Sequence, residues 1–131
     1  MSTLASENRL NGLRVLVVED EGTIYSLIED TLKKLGCGPV WRAVNVETGL
    51  SQLVSHKPDI AILDVNLVGE PVYPIALRLD ELGIPIVFST AYARTIPAFW
   101  NNRPIVEKPF SPAILATALR KALNSRPDAR P

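Results

Sequence analysis

Residues 60–63, Ile-Ala-Ile-Leu, form an unbroken apolar run bounded by Pro58 and the polar Asn66. The run is too short for a buried helix and has the length of a strand. A strand that is apolar at every position is buried on both faces, as in the middle of a parallel sheet covered by helices. The run ends on Asp64. In open α/β sheets, ligands bind beyond the carboxyl ends of the strands, which makes Asp64 the first candidate for chemistry. A turn or cap residue is the bland alternative.

The same pattern recurs along the chain. Residues 13–18 read as a first strand and run straight into Glu19-Asp20-Glu21. Residues 40–44 alternate as an edge strand does, with Trp41 as edge packing. Residues 84–88 lead to Ser89-Thr90-Ala91, and residues 105–107 lead to Lys108-Pro109-Phe110. Helical spacing fills the gaps. Ile24, Leu27, Ile28, Thr31, Leu32 and Leu35 form one stripe, stopped by Gly36. Val46, Leu50, Leu53 and Val54 follow Asn45 as N-cap. Val72, Ile75, Ala76 and Leu79 form a third stripe, with Pro71 and Pro74 assigned to the first turn. Ser111 caps a last helix whose buried stripe is Ile114, Leu115, Leu119, Ala122 and Leu123, with Pro112 at its first position. Strands alternating with helices imply crossover connections and a parallel sheet covered on both faces. The expected organisation is an arm over residues 1–12, one domain over 13–124 and a tail over 125–131.

Composition narrows the function classes. The formal net charge is zero and no basic block occurs, which argues against nucleic acid or an anionic membrane as a direct partner. One cysteine, Cys37, excludes an internal disulfide, and with no His nearby in sequence a packed thiol is favoured over a reactive one. The N-terminus lacks the apolar core of a signal peptide and no run approaches membrane-spanning length, so a cytoplasmic location is expected. His56, at the end of the second helix, suits the helix dipole.

If the sheet is parallel, its carboxyl edge collects Glu19, Asp20, Asp64, Thr90 and Lys108. Clustered carboxylates repel one another and need a cation or protonation to coexist. Oxygen ligands without His or Cys favour a hard ion, Mg²⁺. A carboxylate nucleophile, Mg²⁺, a lysine and a hydroxyl are the parts of phosphoryl transfer to Asp64.

The strings LVVEDE (16–21), ILDVNL (62–67), FSTA (88–91) and EKPF (107–110), in this order and spacing, resemble the receiver domain of bacterial two-component response regulators. The resemblance implies a flavodoxin-like doubly wound α/β fold with five parallel strands in the order 2-1-3-4-5. It implies Asp64 as phosphoacceptor, Glu19 and Asp20 as Mg²⁺ ligands beside Asp64, and the Asn66 backbone carbonyl as a further ligand. Thr90 would bond a phosphoryl oxygen, Lys108 would pair with the phosphate, and the Lys108–Pro109 bond would be cis. The implied partners are a histidine kinase or histidine phosphotransfer protein and a downstream protein. The chain from Asp64 to Tyr92 further resembles single-domain receivers with a Phe-X-Thr-Gly-X-Tyr-like signature, associated with HWE-class histidine kinases. Ala91 stands in place of that Gly, and Tyr92 comes one position early.

Two departures bear on signalling. Ile105 occupies the position three before the lysine, where the family usually has Tyr or Phe. The interval from Thr90 to Lys108 contains Pro97 and Pro104, so the fourth helix is expected to be short or irregular. Tyr92, Phe99 and Trp100 are the nearest aromatic substitutes; either residues 92–103 become ordered on phosphorylation as a switch, or these aromatics simply pack on the sheet or sit at an interface. Two rival functions stand beside the receiver reading. A phosphorylation-independent pseudo-receiver would bind partners without the chemistry. A phosphatase of the haloacid-dehalogenase type would want an Asp as general acid where this chain has Asn66. Too little chain follows residue 124 for a DNA-binding helix-turn-helix, so output is expected through another protein and not as an enzyme.

Overall fold

The computed structural model describes residues 10–125, so most of the expected arm and tail lies outside the described residues. Five parallel strands form the main sheet: β1 (Val15–Val18), β2 (Val40–Ala43), β3 (Ile60–Asp64), β4 (Ile86–Thr90) and β5 (Ile105–Glu107). Their order is β2-β1-β3-β4-β5, the expected flavodoxin-like arrangement. The helices are α1 (Gly22–Lys34), α2 (Val46–Ser55), α3 (Tyr73–Leu82) and α4 (Pro112–Asn124).

Strand alternation divides the core in two. Leu16, Val18, Leu63 and Phe88 face one side, where they pack with Ile75, Ala76 and Leu79 of α3. Val15, Val17, Ile62, Val87 and Val106 face the other, against Ile28 and Leu32 of α1 and Leu115 and Leu119 of α4. Full burial of such side chains contributes about 1.5–3 kcal/mol each, which holds the strands in register and fixes where their ends fall. Leu10, assigned by sequence to the arm, belongs to this second cluster, and Gly12 N donates to Gly36 O at 2.7 Å.

Local signals set the helix ends. Asn45 and Thr48 make a reciprocal capping box on α2, and Ser111 Oγ accepts from Ile114 N at 3.2 Å on α4. Gly83 ends α3 in the left-handed conformation, at φ +73°. Lys108–Pro109 is cis as expected, and Gly38–Pro39 is cis as well.

Several expectations need correction. Leu27, Val54 and Ile114 are exposed, because each lies at the margin of its helix's apolar stripe and the neighbouring elements do not reach it. Pro71 precedes α3 and instead pairs with Asn66 in a small antiparallel ribbon, Asn66–Leu67 with Glu70–Pro71. Glu70 of this ribbon accepts from Val46 N at 3.0 Å, tying the loop after Asp64 to the start of α2.

The segment between β4 and β5 holds no α-helix. A 3-10 turn over Ala93–Thr95 is followed by further turns, in keeping with its prolines. Its second half is nonetheless packed: Ile96 and Trp100 are buried. Trp100 stacks on Tyr73 (5.8 Å between ring centroids) and meets Phe88 edge-on at 5.9 Å. Arg103 lies over the Trp100 ring and pairs with Asp80 of α3. Ile96, Trp100 and Arg103 thus already have packing or ion-pair partners, whereas Tyr92 and Phe99 are exposed.

Candidate functional site

The parallel register brings the ends of β1, β3, β4 and β5 to one edge, and the sequence-predicted residues meet there. Glu19 and Asp20 follow β1, Asp64 and Thr90 end β3 and β4, and Lys108 follows β5. Carboxylate oxygens of Glu19, Asp20 and Asp64 lie within 4.8 Å of one another. Lys108 Nζ stands 3.2 Å from Glu19 Oε1 and 3.4 Å from Asp64 Oδ1. Glu19, Asp64 and Thr90 are buried, whereas Asp20 and Lys108 are half-buried.

Backbone amides orient the acids. Glu21 N donates to Glu19 Oε2 at 3.1 Å, Val68 N to Asp20 Oδ2 at 3.1 Å, and Asn66 N to Asp64 Oδ1 at 3.3 Å. Thr90 Oγ1 accepts from Tyr92 N at 3.1 Å, and Lys108 N donates to Thr90 O at 2.8 Å. These contacts fix Thr90 and Lys108 relative to each other through the backbone.

Burial pushes the Asp64 carboxyl above the usual carboxylate range despite the nearby Lys108. Burial, reinforced by the Asp64 charge, does the same to Glu19. For Lys108, burial acts to lower the pKa, but Asp64 and Glu19 outweigh it and hold the ammonium more firmly protonated than usual. One lysine against three acids leaves an excess of negative charge. At an effective dielectric constant of about 20, each unit-charge pair at ~4 Å is worth ~4 kcal/mol, so a divalent cation is strongly favoured. The donor set, carboxylates alone with no His or Cys, fits Mg²⁺.

Residues 15–120 match the family model described as the response regulator receiver domain. The chain belongs to the response regulator receiver family. Receiver domains of two-component signalling bind Mg²⁺ at an acidic pocket, and in this receiver Glu19, Asp20 and Asp64 form the acidic cluster. The chain is 35% identical over 114 residues to the sensory transduction protein LytT of Bacillus subtilis, covering 83% of this chain and 47% of that one. It is 32% identical over 120 residues to the phosphate regulon transcriptional regulatory protein PhoB of Pseudomonas aeruginosa, covering 86% and 52%. The receiver thus spans about half the length of these curated relatives. Among solved structures, SdrG from Sphingomonas melonis Fr1 superposes with a TM-score of 0.78 at 36% identity, over 86% of this chain and 97% of that one. The response regulator PhyR from Brucella abortus gives 0.79 at 26% identity, over 92% and 51%.

Sequence reasoning missed a cation beside the receiver's acidic site. Arg42, near the end of β2, donates from Nε to Glu19 O at 3.1 Å and from its guanidinium to Asp20 O at 3.2 Å. It also lies 4.6 Å over the Tyr25 ring of α1. It braces the backbone that carries both acids; its place next to the carboxyl end of a strand adjoining β1 was the available signal. The switch candidates separate in space. Tyr92 is exposed, whereas Ile105 is half-buried, pairs with Phe88 and packs on the first core cluster. Among the described residues no helix is long and apolar enough to cross a membrane.

Proposed function

We propose that this receiver accepts a phosphoryl group on Asp64 from the phosphohistidine of a histidine kinase or histidine phosphotransfer protein. It then signals through contacts with another protein. The observation that carries the reading is the Lys108 ammonium held against both Asp64 and Glu19 at the sheet edge.

In the transfer, an Asp64 oxygen forms the new bond to phosphorus while the phosphorus–nitrogen bond of the donor breaks and the imidazole leaves with that electron pair. Lys108 places a fixed positive charge where about −1.5 to −2 units of charge arrive. The Thr90 oxygen already accepts from Tyr92 N, which leaves its own proton for a phosphoryl oxygen. Glu19, Asp20, Asp64 and the Asn66 carbonyl would hold Mg²⁺, which would supply charge neutralisation for the transferred group. The chain is on this reading a phosphoacceptor that assists its own phosphorylation and dephosphorylation, not an enzyme acting on a free substrate. Asn66 cannot deliver a proton as the general acid of a phosphatase would.

Incubation with acetyl phosphate and Mg²⁺, followed by intact-mass measurement, tests the proposal. One added phosphoryl group on the wild type and none on Asp64→Asn is the expected result. An unmodified wild type would make the chain a phosphorylation-independent binding module.

A further inference from the structure

The ribbon that follows Asp64 is too short to hold itself in place. It pairs Asn66–Leu67 with Glu70–Pro71, and a two-stranded hairpin is marginal even when longer. At its tip Val68 is 86% exposed, and Gly69 takes the left-handed conformation at φ +78°. The tip therefore takes its position from whatever anchors the two short strands.

That position matters to the acidic cluster. Asn66 N donates to Asp64 Oδ1 at 3.3 Å, and Val68 N, from the tip itself, donates to Asp20 Oδ2 at 3.1 Å. The Val68 bond engages one oxygen of the half-buried Asp20 carboxylate and leaves the other to a cation.

Two side chains anchor the ribbon. Leu67 is buried in the first core cluster. Glu70 stands opposite Leu67 in the pairing, which puts both side chains on one face. There Glu70 Oε2 accepts from Val46 N at 3.0 Å. Val46 begins α2, and its amide is one of the donors a helix leaves without an internal partner. Asn45 Oδ1 already accepts from Thr48 N, so Glu70 supplies the acceptor for Val46. The helix dipole favours an anion at this end as well. α2 is itself fixed to the sheet, because Val46, Leu50 and Leu53 pack against the first core cluster.

Glu70 is not one of the three acids whose oxygens lie within 4.8 Å of one another. We infer that Glu70 is a positioning residue for the Mg²⁺ site. From the start of α2 it holds the ribbon so that the Val68 amide keeps the Asp20 carboxylate turned toward Asp64 and Glu19. The inference rests on the reading that this cluster holds Mg²⁺ for phosphoryl transfer. It assigns the effect to an acceptor oxygen on Glu70 and not to a charge acting on the ion at a distance.

The test compares wild type, Glu70→Gln and Glu70→Ala by calorimetric Mg²⁺ titration and, in metal-free protein, by the NMR exchange rate of the Val68 amide. Thermal melts show that each protein is folded. Glu70→Gln keeps an oxygen able to accept from Val46 N, so its Mg²⁺ affinity and Val68 exchange should stay close to wild type. Glu70→Ala removes that acceptor. Its affinity should fall about three- to tenfold, less than the roughly 10–100-fold lost when a ligand's own partner is removed, because Leu67 still anchors one strand. Its Val68 amide should exchange faster before any ion is added. Wild-type affinity in Glu70→Ala, or unchanged Val68 exchange, would overturn the inference. So would an equal fall in Glu70→Gln, which would assign the effect to charge. No Mg²⁺ binding by the wild type would refute the metal-site reading itself, and the inference with it.

Discussion

Lys108 Nζ lies 3.4 Å from Asp64 Oδ1 although their strands, β5 and β3, are separated by β4. The lysine is thus committed across the sheet edge toward Asp64, the proposed phosphoacceptor, where its charge is set against two buried acids. Lys108→Ala should slow phosphoryl uptake at Asp64 by at least about tenfold, the equivalent of ~1.4 kcal/mol of lost charge stabilisation. Time courses of intact mass check this, and an unchanged rate would mean that Lys108 only terminates β5.

The buried acids also predict the sign of a pH effect. A carboxyl whose pKa is raised on folding binds its proton more tightly in the native state. Its contribution to stability is then present below its unfolded pKa and is lost as pH rises through the folded one. Glu19 and Asp64 are both shifted this way by burial. Metal-free protein should therefore lose stability from these two groups as pH rises above the ordinary carboxylate range of about 4. Asp64→Asn should flatten the profile and raise neutral-pH stability. Thermal melts with and without EDTA read this out, and a mutant less stable than wild type at neutral pH would contradict it.

Asp20 is the half-buried acid of the cluster, and its Oδ2 accepts from Val68 N. Asp20→Asn keeps the shape but removes a negative ligand, so Mg²⁺ affinity should fall about tenfold or more. Calorimetric titration measures it. Equal affinity in mutant and wild type would place the ion elsewhere.

The segment after β4 divides at Ile96. Tyr92 is exposed, while Ile96 and Trp100 are buried and Arg103 is paired with Asp80. Phosphorylation should therefore raise amide-exchange protection over residues 91–95 and leave residues 96–103 nearly unchanged. Equal protection in both states across residues 91–95 would remove this segment from the signalling route.

Much of the site was legible because it is one-dimensional: Asp64, Glu19 and Lys108 each follow an apolar run, and parallel strands bring run-ends together. The alternation of strands and helices pointed to a parallel sheet, and its strand order came from the family resemblance. Other features depend on neighbours that no local pattern contains. Helical periodicity placed Leu27, Val54 and Ile114 on their apolar stripes, but exposure at a stripe's margin is decided by how far the opposing element extends. Pro71 fits a helix start as well as a ribbon, and the pairing with Asn66 settles it. The Trp41–His56 stack, at 4.2 Å between centroids, joins β2 to the end of α2 and needed the fold to be seen. Cys37, expected as a packed thiol, donates to Leu10 O at 3.2 Å, and burial pushes its pKa up.

The most direct test of the phosphoacceptor assignment is to locate the modified residue. Protein treated with acetyl phosphate and Mg²⁺ can be reduced with borohydride, which converts an acyl phosphate on Asp to homoserine, and then mapped by peptide mass spectrometry. Conversion at residue 64 alone, abolished by EDTA, is the predicted result. Conversion at Asp20 or any other acid with residue 64 untouched, or modification that persists without a divalent cation, would contradict it.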